Sequence, residues 1–224
     1  MRPLEEDIAC AVDCDASVMI SGESGAGKTF AARAIHQRSR RRSGPFIIAN
    51  WPDITERRHP SRSRSETDRP FKEWFANADG NGTLLIDDIG KMAPVLQLEL
   101  LRFTDRATRP ELRLMTTAGT DLFARVQGNQ FRSDLFYRLN VMHLKVPPLR
   151  DRREDIPMLF RHYLRVYARA HPARLSTACV QRLVAYPWPG NVAQLKATAE
   201  TLAAQDLPRR LEPEDLPPHI ACDR

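Results

Sequence analysis

Residues 16–36 read ASVMISGESGAGKTFAARAIH: a short aliphatic run, a glycine-rich turn, then a mix of small and apolar residues suited to a helix. Within it GESGAGKT (22–29) matches the pattern G-x-x-x-x-G-K-[ST] in full. The match carries meaning because a strand precedes it and a helix follows. Gly22, Gly25 and Gly27 let backbone N–H groups turn inward around a phosphate chain, and the positive end of the helix adds to that field. In such a loop Lys28 reaches the outer phosphates, and the Thr29 hydroxyl is a ligand for Mg²⁺. Glu23, Ser24 and Ala26 complete the loop.

Downstream, LLIDDIG (84–90) is an apolar run that ends in paired carboxylates. Alone it is ordinary. At this distance from a phosphate-binding loop it suits the metal-holding strand of a nucleotide site. Asp87 then holds Mg²⁺, partly through water, and Asp88 stands where a catalytic carboxylate polarises attacking water.

The surrounding pattern sets the fold. ASVMI (16–20), PFIIA (45–49), TLLID (83–87), ELRLMTT (111–117) and VMHLKV (141–146) are short and aliphatic, as strands buried on both faces must be. TFAARAIHQRS and APVLQLELLRFTD supply crossover helices, so residues 1–148 are predicted to form an α/β domain with a mostly parallel sheet. Beyond PPLRDRRED the strands stop. IPMLFRHYLRVYARA puts Ile156, Leu159, Phe160, Tyr163, Leu164 and Tyr167 on one helical face, with Pro157 in the first turn. STACVQRLVAY begins at Ser176 as N-cap. NVAQLKATAETLAA begins at Asn191, with Gln194 placed to close a capping box. Residues 149–224 are therefore expected to be a small all-α domain.

A 224-residue chain that is 42% hydrophobic can bury a substantial core. Its net charge of +6 is compatible with an acidic or polyanionic partner without requiring one. Cys10 and Cys14 have no Cys or His pair nearby to complete a tetrahedral metal site, so the four cysteines read as reduced thiols. The N-terminus lacks the apolar core of a signal peptide, and no run is long enough to span a bilayer. A cytoplasmic location without membrane contact is expected.

Taken in order, GESGAGKT, GPFIIAN, GTLLIDDIG, FRSDLFYRLNV, PPLRDRREDIP, YPWPGNV and EDLPP closely resemble the AAA+ domain of sigma-54-dependent transcription activators. The resemblance covers almost the whole chain. It implies a RecA-like αβα P-loop domain followed by a helical lid, with ATP and Mg²⁺ as ligands. It also implies assembly into rings, as homo- or hetero-oligomers, and a role in transcription regulation through RNA polymerase bearing sigma-54. By the same resemblance Gly22, Gly25, Gly27, Lys28 and Thr29 form the Walker A loop, and Asp87 and Asp88 form Walker B. Arg132 and Arg138 match the arginine fingers that reach the ATP of a neighbouring subunit, where a guanidinium fork stabilises charge on the transferring phosphoryl group.

The chain departs from the family pattern at four places. Asp88 replaces the usual Glu, which retracts the carboxylate by about 1.5 Å, one C–C bond. A misplacement of about 1 Å can cost roughly a hundredfold in rate. Gly119 stands at the sensor Asn, and Ala193 at the lid's sensor Arg. Residues 51–81 lack the family's Gly-Ala-Phe-Thr-Gly-Ala loop and carry instead HPSRSRSETDRP (59–70), a polar stretch between prolines that reads as a surface loop.

These features predict an ATP-binding regulatory module with slowed hydrolysis and weakened sigma-54 contact. An active ATPase that remodels sigma-54 polymerase is the alternative. A basic nucleic-acid binder resting on RSRRR (38–42) and ERRHPSRSRS (56–65) is the second alternative. Those clusters lack interleaved aromatics, so they read as solvated loops, and sequence-specific DNA binding is not expected from these residues.

Overall fold

The computed structural model describes residues 2–49, 81–106, 112–168, 174–205 and 210–221. The Arg/Ser stretch and its bracketing prolines fall outside them. Two compact units emerge: Met1–Gly22 with Lys28–Val146, and Glu23–Gly27 with Pro147–Arg224.

The first unit is built on strands β1 (Val18–Ser21), β2 (Phe46–Ala49), β3 (Gly82–Ile86), β4 (Leu112–Ala118) and β5 (Met142–Lys145). Their order is β2-β3-β4-β1-β5 and every pairing is parallel. Each strand lies within a residue or two of a predicted aliphatic run. The reason is burial on both faces: Val18, Met19 and Ile20 are enclosed, as are Leu84, Leu85 and Ile86. Each such side chain contributes about 1.5–3 kcal/mol of burial. Because β1 lies inside the sheet, the turn that follows it opens at the carboxyl edge, where open α/β sheets bind ligands.

The helices of this unit are α1 (Arg2–Asp13), α2 (Lys28–Arg38), α3 (Pro94–Arg106), α4 (Leu122–Gln127) and α5 (Ser133–Leu139). Leu96 and Leu100 of α3 pack with Leu135 and Leu139 of α5 against Leu84 and Ile86 of β3. Helix α1 is absent from the sequence reading. Its apolar stripe is narrow, Leu4, Ile8 and Ala11, and only Ala11 is fully buried. A tertiary contact helps to fix it: Arg113 of β4, with no solvent exposure, donates from Nη2 to the Ala11 carbonyl.

One basic cluster also departs from expectation. Within RSRRR, Arg41 is buried rather than solvated. It pairs with Asp15 at 2.9 Å and points a second nitrogen at the Gly82 carbonyl.

The second unit packs α6 (Ile156–Tyr167), α7 (Thr177–Ala185), α8 (Asn191–Ala203) and the short α9 (Pro218–Ala221) around its own core. Ile156, Phe160 and Leu164 are buried, while Leu159, Tyr163 and Tyr167 cover the same core from its margin, as the helical period requires. Trp188 lies at the centre, its Nε1–H donating to the Leu183 carbonyl at 2.7 Å. Ser176 caps α7, accepting from the Cys179 N–H at 3.1 Å.

Two expectations are corrected here. The unit is not wholly α-helical, because β6 (Arg174–Leu175) and β7 (Arg210–Leu211) form a two-residue parallel ladder. Asn191 is not the cap of α8. Gly190 holds that position, its N–H satisfied by Gln194 Oε1 at 3.0 Å, and Asn191 is drawn inward with its φ at 52°. Among the described residues no helix is long and apolar enough to cross a membrane.

Candidate functional site

In the first unit the chain leaves β1 at Ser21 and re-enters α2 at Lys28. The Lys28 ammonium donates to the Gly22 carbonyl at 3.0 Å. Burial pushes its pKa down, while the Asp88 and Asp87 carboxylates favour the charged form. Lys28 and both acids after β3 thus share one electrostatic neighbourhood. Thr29 follows on the first turn of α2, half-buried.

Asp87 and Asp88 stand just past the end of β3. The Asp87 N–H is held by the Ala49 carbonyl at 3.0 Å. Asp88 takes a left-handed conformation, φ 52° and ψ 54°, and opens a short 3-10 turn over Ile89–Lys91. Its carboxylate is occupied by the Lys91 ammonium at 2.7 Å. Two further hydrogen bonds come from Thr117 of β4: its hydroxyl donates to Asp87 Oδ1 and accepts the Asp88 N–H at 2.8 Å. At Gly119, two residues on, an added Cβ would meet Asp121 Oδ1 at 2.5 Å, so the Asp121 side chain fills the space beside it. Asp121 is itself paired with Arg125.

Arg132 and Arg138 flank or occupy α5. The Arg132 backbone N–H is held by Gln97 Oε1 at 2.9 Å, and its guanidinium grips Asp134 through two hydrogen bonds of 3.0 and 2.6 Å. Arg138 donates to the Thr104 carbonyl at 2.8 Å. These two arginines sit on a different part of the unit from the β3 acids, on the segment that follows α4.

The remaining loop residues, Glu23 to Gly27, belong to the second unit. Gly25 has φ 72°, a conformation that side chains resist, and an added Cβ would lie 2.5 Å from the Gly190 carbonyl. Its own carbonyl accepts the Val192 and Ala193 N–H groups at 3.0 and 3.3 Å. Glu23 receives both arms of the Arg150 guanidinium, one at 2.8 Å, and the Asn191 amide at 3.1 Å. Arg150 and then Asn191 hold the Glu23 carboxyl down at about 2. Asn191 also donates to the Ser24 carbonyl at 3.0 Å and accepts the Leu149 N–H at 2.8 Å. Arg152, whose pKa burial lowers, donates to the Ala26 carbonyl.

The sequence singles out the loop and both acids but not their partners Thr117, Lys91, Arg150, Arg152 and Asn191. One of them left a signal. Side chains alternate along a strand, so Thr117 of β4 was placed to share a face with Met115 and to lie two residues before Gly119.

A five-stranded parallel sheet, a glycine-rich turn after β1, carboxylates after β3 and a separate helical unit define a RecA-like P-loop domain of the AAA+ type with its lid. The Sigma-54 interaction domain family matches residues 1–145, and the AAA+ ATPase lid domain family matches residues 150–224. The regulatory protein AtoC of Escherichia coli is 38% identical over 243 aligned positions, covering 98% of this chain and 52% of AtoC. The DNA-binding transcriptional regulator NtrC of a Bradyrhizobium species is 36% identical, covering 91% of this chain and 46% of that protein. Among solved structures, NtrX from Brucella abortus in complex with ATP superposes with a TM-score of 0.81 at 27% identity, covering 98% of this chain and 55% of NtrX. The chain belongs to the sigma-54-dependent activator family of AAA+ domains, and spans about half the length of these relatives.

Proposed function

We propose that this chain is the nucleotide module of a transcription regulator, binding ATP with Mg²⁺ and turning it over slowly. The observation that carries the reading is that Lys28, at the start of the helix after β1, and Asp87 and Asp88, just past β3, stand at the carboxyl edge of one parallel sheet. The ATP complex of the related NtrX supports it. The donor set fits the ligands: backbone amides and an ammonium for phosphate oxygens, a hydroxyl at Thr29 and a carboxylate at Asp87 for a hard cation. Mg²⁺, when bound, neutralises charge on the phosphate oxygens.

The protein groups divide the remaining work. Lys28 holds the outer phosphates, and Asp87 orients the cation's shell. Turnover needs a carboxylate to position water, and Asp88 is both one carbon short and paired with Lys91. Gly119 offers no side chain to help it, and Ala193 brings no charge from the lid.

Assembly with other AAA+ subunits is part of the same proposal. Phe123 and Tyr137 are exposed and both contact the Phe136 ring, at 6.1 and 5.4 Å, and Phe136 and Tyr137 lie on the segment between Arg132 and Arg138. An aromatic surface with adjacent arginines suits a subunit contact that delivers a guanidinium to a neighbour's phosphates. In this reading the nucleotide domain passes into the lid between residues 148 and 149.

MgATP is expected to raise the melting temperature of the protein, and Lys28→Ala to abolish the rise. No shift in the parent would refute nucleotide binding. Phosphate release is expected to stay slow for the chain alone. Release as fast as that of a competent relative would refute impaired turnover and favour the active motor.

A further inference from the structure

The parallel register pairs Ile86 of β3 with Thr116 of β4, which brings the next residues, Asp87 and Thr117, side by side. Thr117 has no solvent exposure. A threonine hydroxyl has one hydrogen to donate and lone pairs to accept. Here the hydrogen goes to Asp87 Oδ1 and a lone pair takes the Asp88 N–H at 2.8 Å. One buried oxygen therefore joins the side chain of the first acid to the backbone of the second.

Both bonds fall where the acid pair needs restraint. Asp88 has a left-handed backbone, uncommon for a residue with a side chain, and its N–H is fixed by Thr117. A hydrogen bond to an ionised carboxylate is about twice as strong as a neutral one and directional, so it sets the Asp87 rotamer. Position 119, just past the end of β4, cannot contribute, since it is glycine and Asp121 crowds the space.

We propose that Thr117 is a positioning residue for the acid pair: its hydroxyl aims Asp87 at the metal–nucleotide complex, a task this chain cannot assign to a side chain at position 119. The inference rests on the nucleotide reading above. With its orientation fixed through Thr117, the Asp87 carboxylate is the group that would hold the cation.

Thr117→Val removes the hydroxyl while keeping the β-branched shape that suits a strand. Binding of ADP by calorimetry, with and without Mg²⁺, is the test. In the full chain, Thr117→Val is expected to lose the Mg²⁺-dependent part of the affinity by about tenfold, the effect of one charge-assisted bond. Metal-free ADP binding, carried by Lys28 and the loop, is expected to remain within about twofold. Thr117→Ser is expected to restore the Mg²⁺ response, and a merely structural role would not separate the two conditions. Should the valine variant fail to fold, Thr117→Ala gives the same comparison in a smaller side chain. Equal Mg²⁺ dependence in the parent and the hydroxyl-free variant overturns the inference alone. A parent that binds no ADP under either condition overturns both the inference and the nucleotide reading.

Discussion

At the scale of single residues, Lys91 differs most in consequence from its modest appearance. It is a lysine three positions after Asp88, largely exposed, yet it reaches back to the carboxylate that would have to position water. The Asp88 carboxylate in turn raises the lysine's pKa, chiefly through that hydrogen bond. Exposed ion pairs are worth about 0.2–1 kcal/mol. If the pair must open during turnover, Lys91→Met is expected to raise kcat roughly two- to fivefold while leaving the ATP affinity set by Lys28 in place. A phosphate-release assay with saturating MgATP decides it, and an unchanged or lower rate would show that the pair does not restrain the acid. Adding a side chain at position 119 is harder. Any residue at position 119 displaces the Asp121 carboxylate, which is already paired with Arg125.

Between elements, the network around Glu23 matters most. Glu23 meets Arg150 from the turn before α6 and Asn191 from the start of α8, so three separate pieces of chain converge on one carboxylate. Arg150 and Asn191 hold its pKa at about 2, below its ordinary 4.5. A depressed acid of this kind adds stability above pH 4.5, and the contribution is lost as pH falls from there toward about 2. The parent is therefore expected to melt higher than Arg150→Ala near neutrality, with the gap closing as the pH is lowered from about 6 to about 3. Melting curves recorded across that window test the pair, and a gap constant with pH would mean that Arg150 acts through packing alone. The cysteines offer an independent check on the elements. Burial raises the Cys179 thiol to about 11 inside α7, whereas Cys10 is exposed on α1. An alkylating reagent is accordingly expected to label Cys10 in the native protein and Cys179 only after unfolding.

For the molecule as a whole, each unit has its own apolar core, one around the parallel sheet and one around Trp188. The indole is fully enclosed and also donates to Leu183, so its removal leaves both a cavity and an unpaired carbonyl. Trp188→Ala is expected to destabilise the second unit by about 3–5 kcal/mol. Urea unfolding followed by circular dichroism measures this, and a cost below about 1 kcal/mol would mean that the core repacks freely.

Local pattern determined a good deal of this protein. Short aliphatic runs bounded by turn residues suit strands of a parallel sheet, which is why the five strands, the loop of residues 22–29 and the acids after β3 were legible from the chain itself. Ser176 was legible too, because an N-cap needs only its own side chain and an amide three residues on. Tertiary structure decided what depends on neighbours distant in sequence. Asn191 has the residue type and spacing of a cap but finds better partners in Leu149, Glu23 and Ser24, and so turns inward. Arg41 looks solvated until Asp15 and Gly82 are placed beside it. Thr117 acquires its meaning only when parallel pairing sets β4 against β3, since a hydroxyl's role follows from the atoms within about 3 Å of it, and sequence alone does not place them.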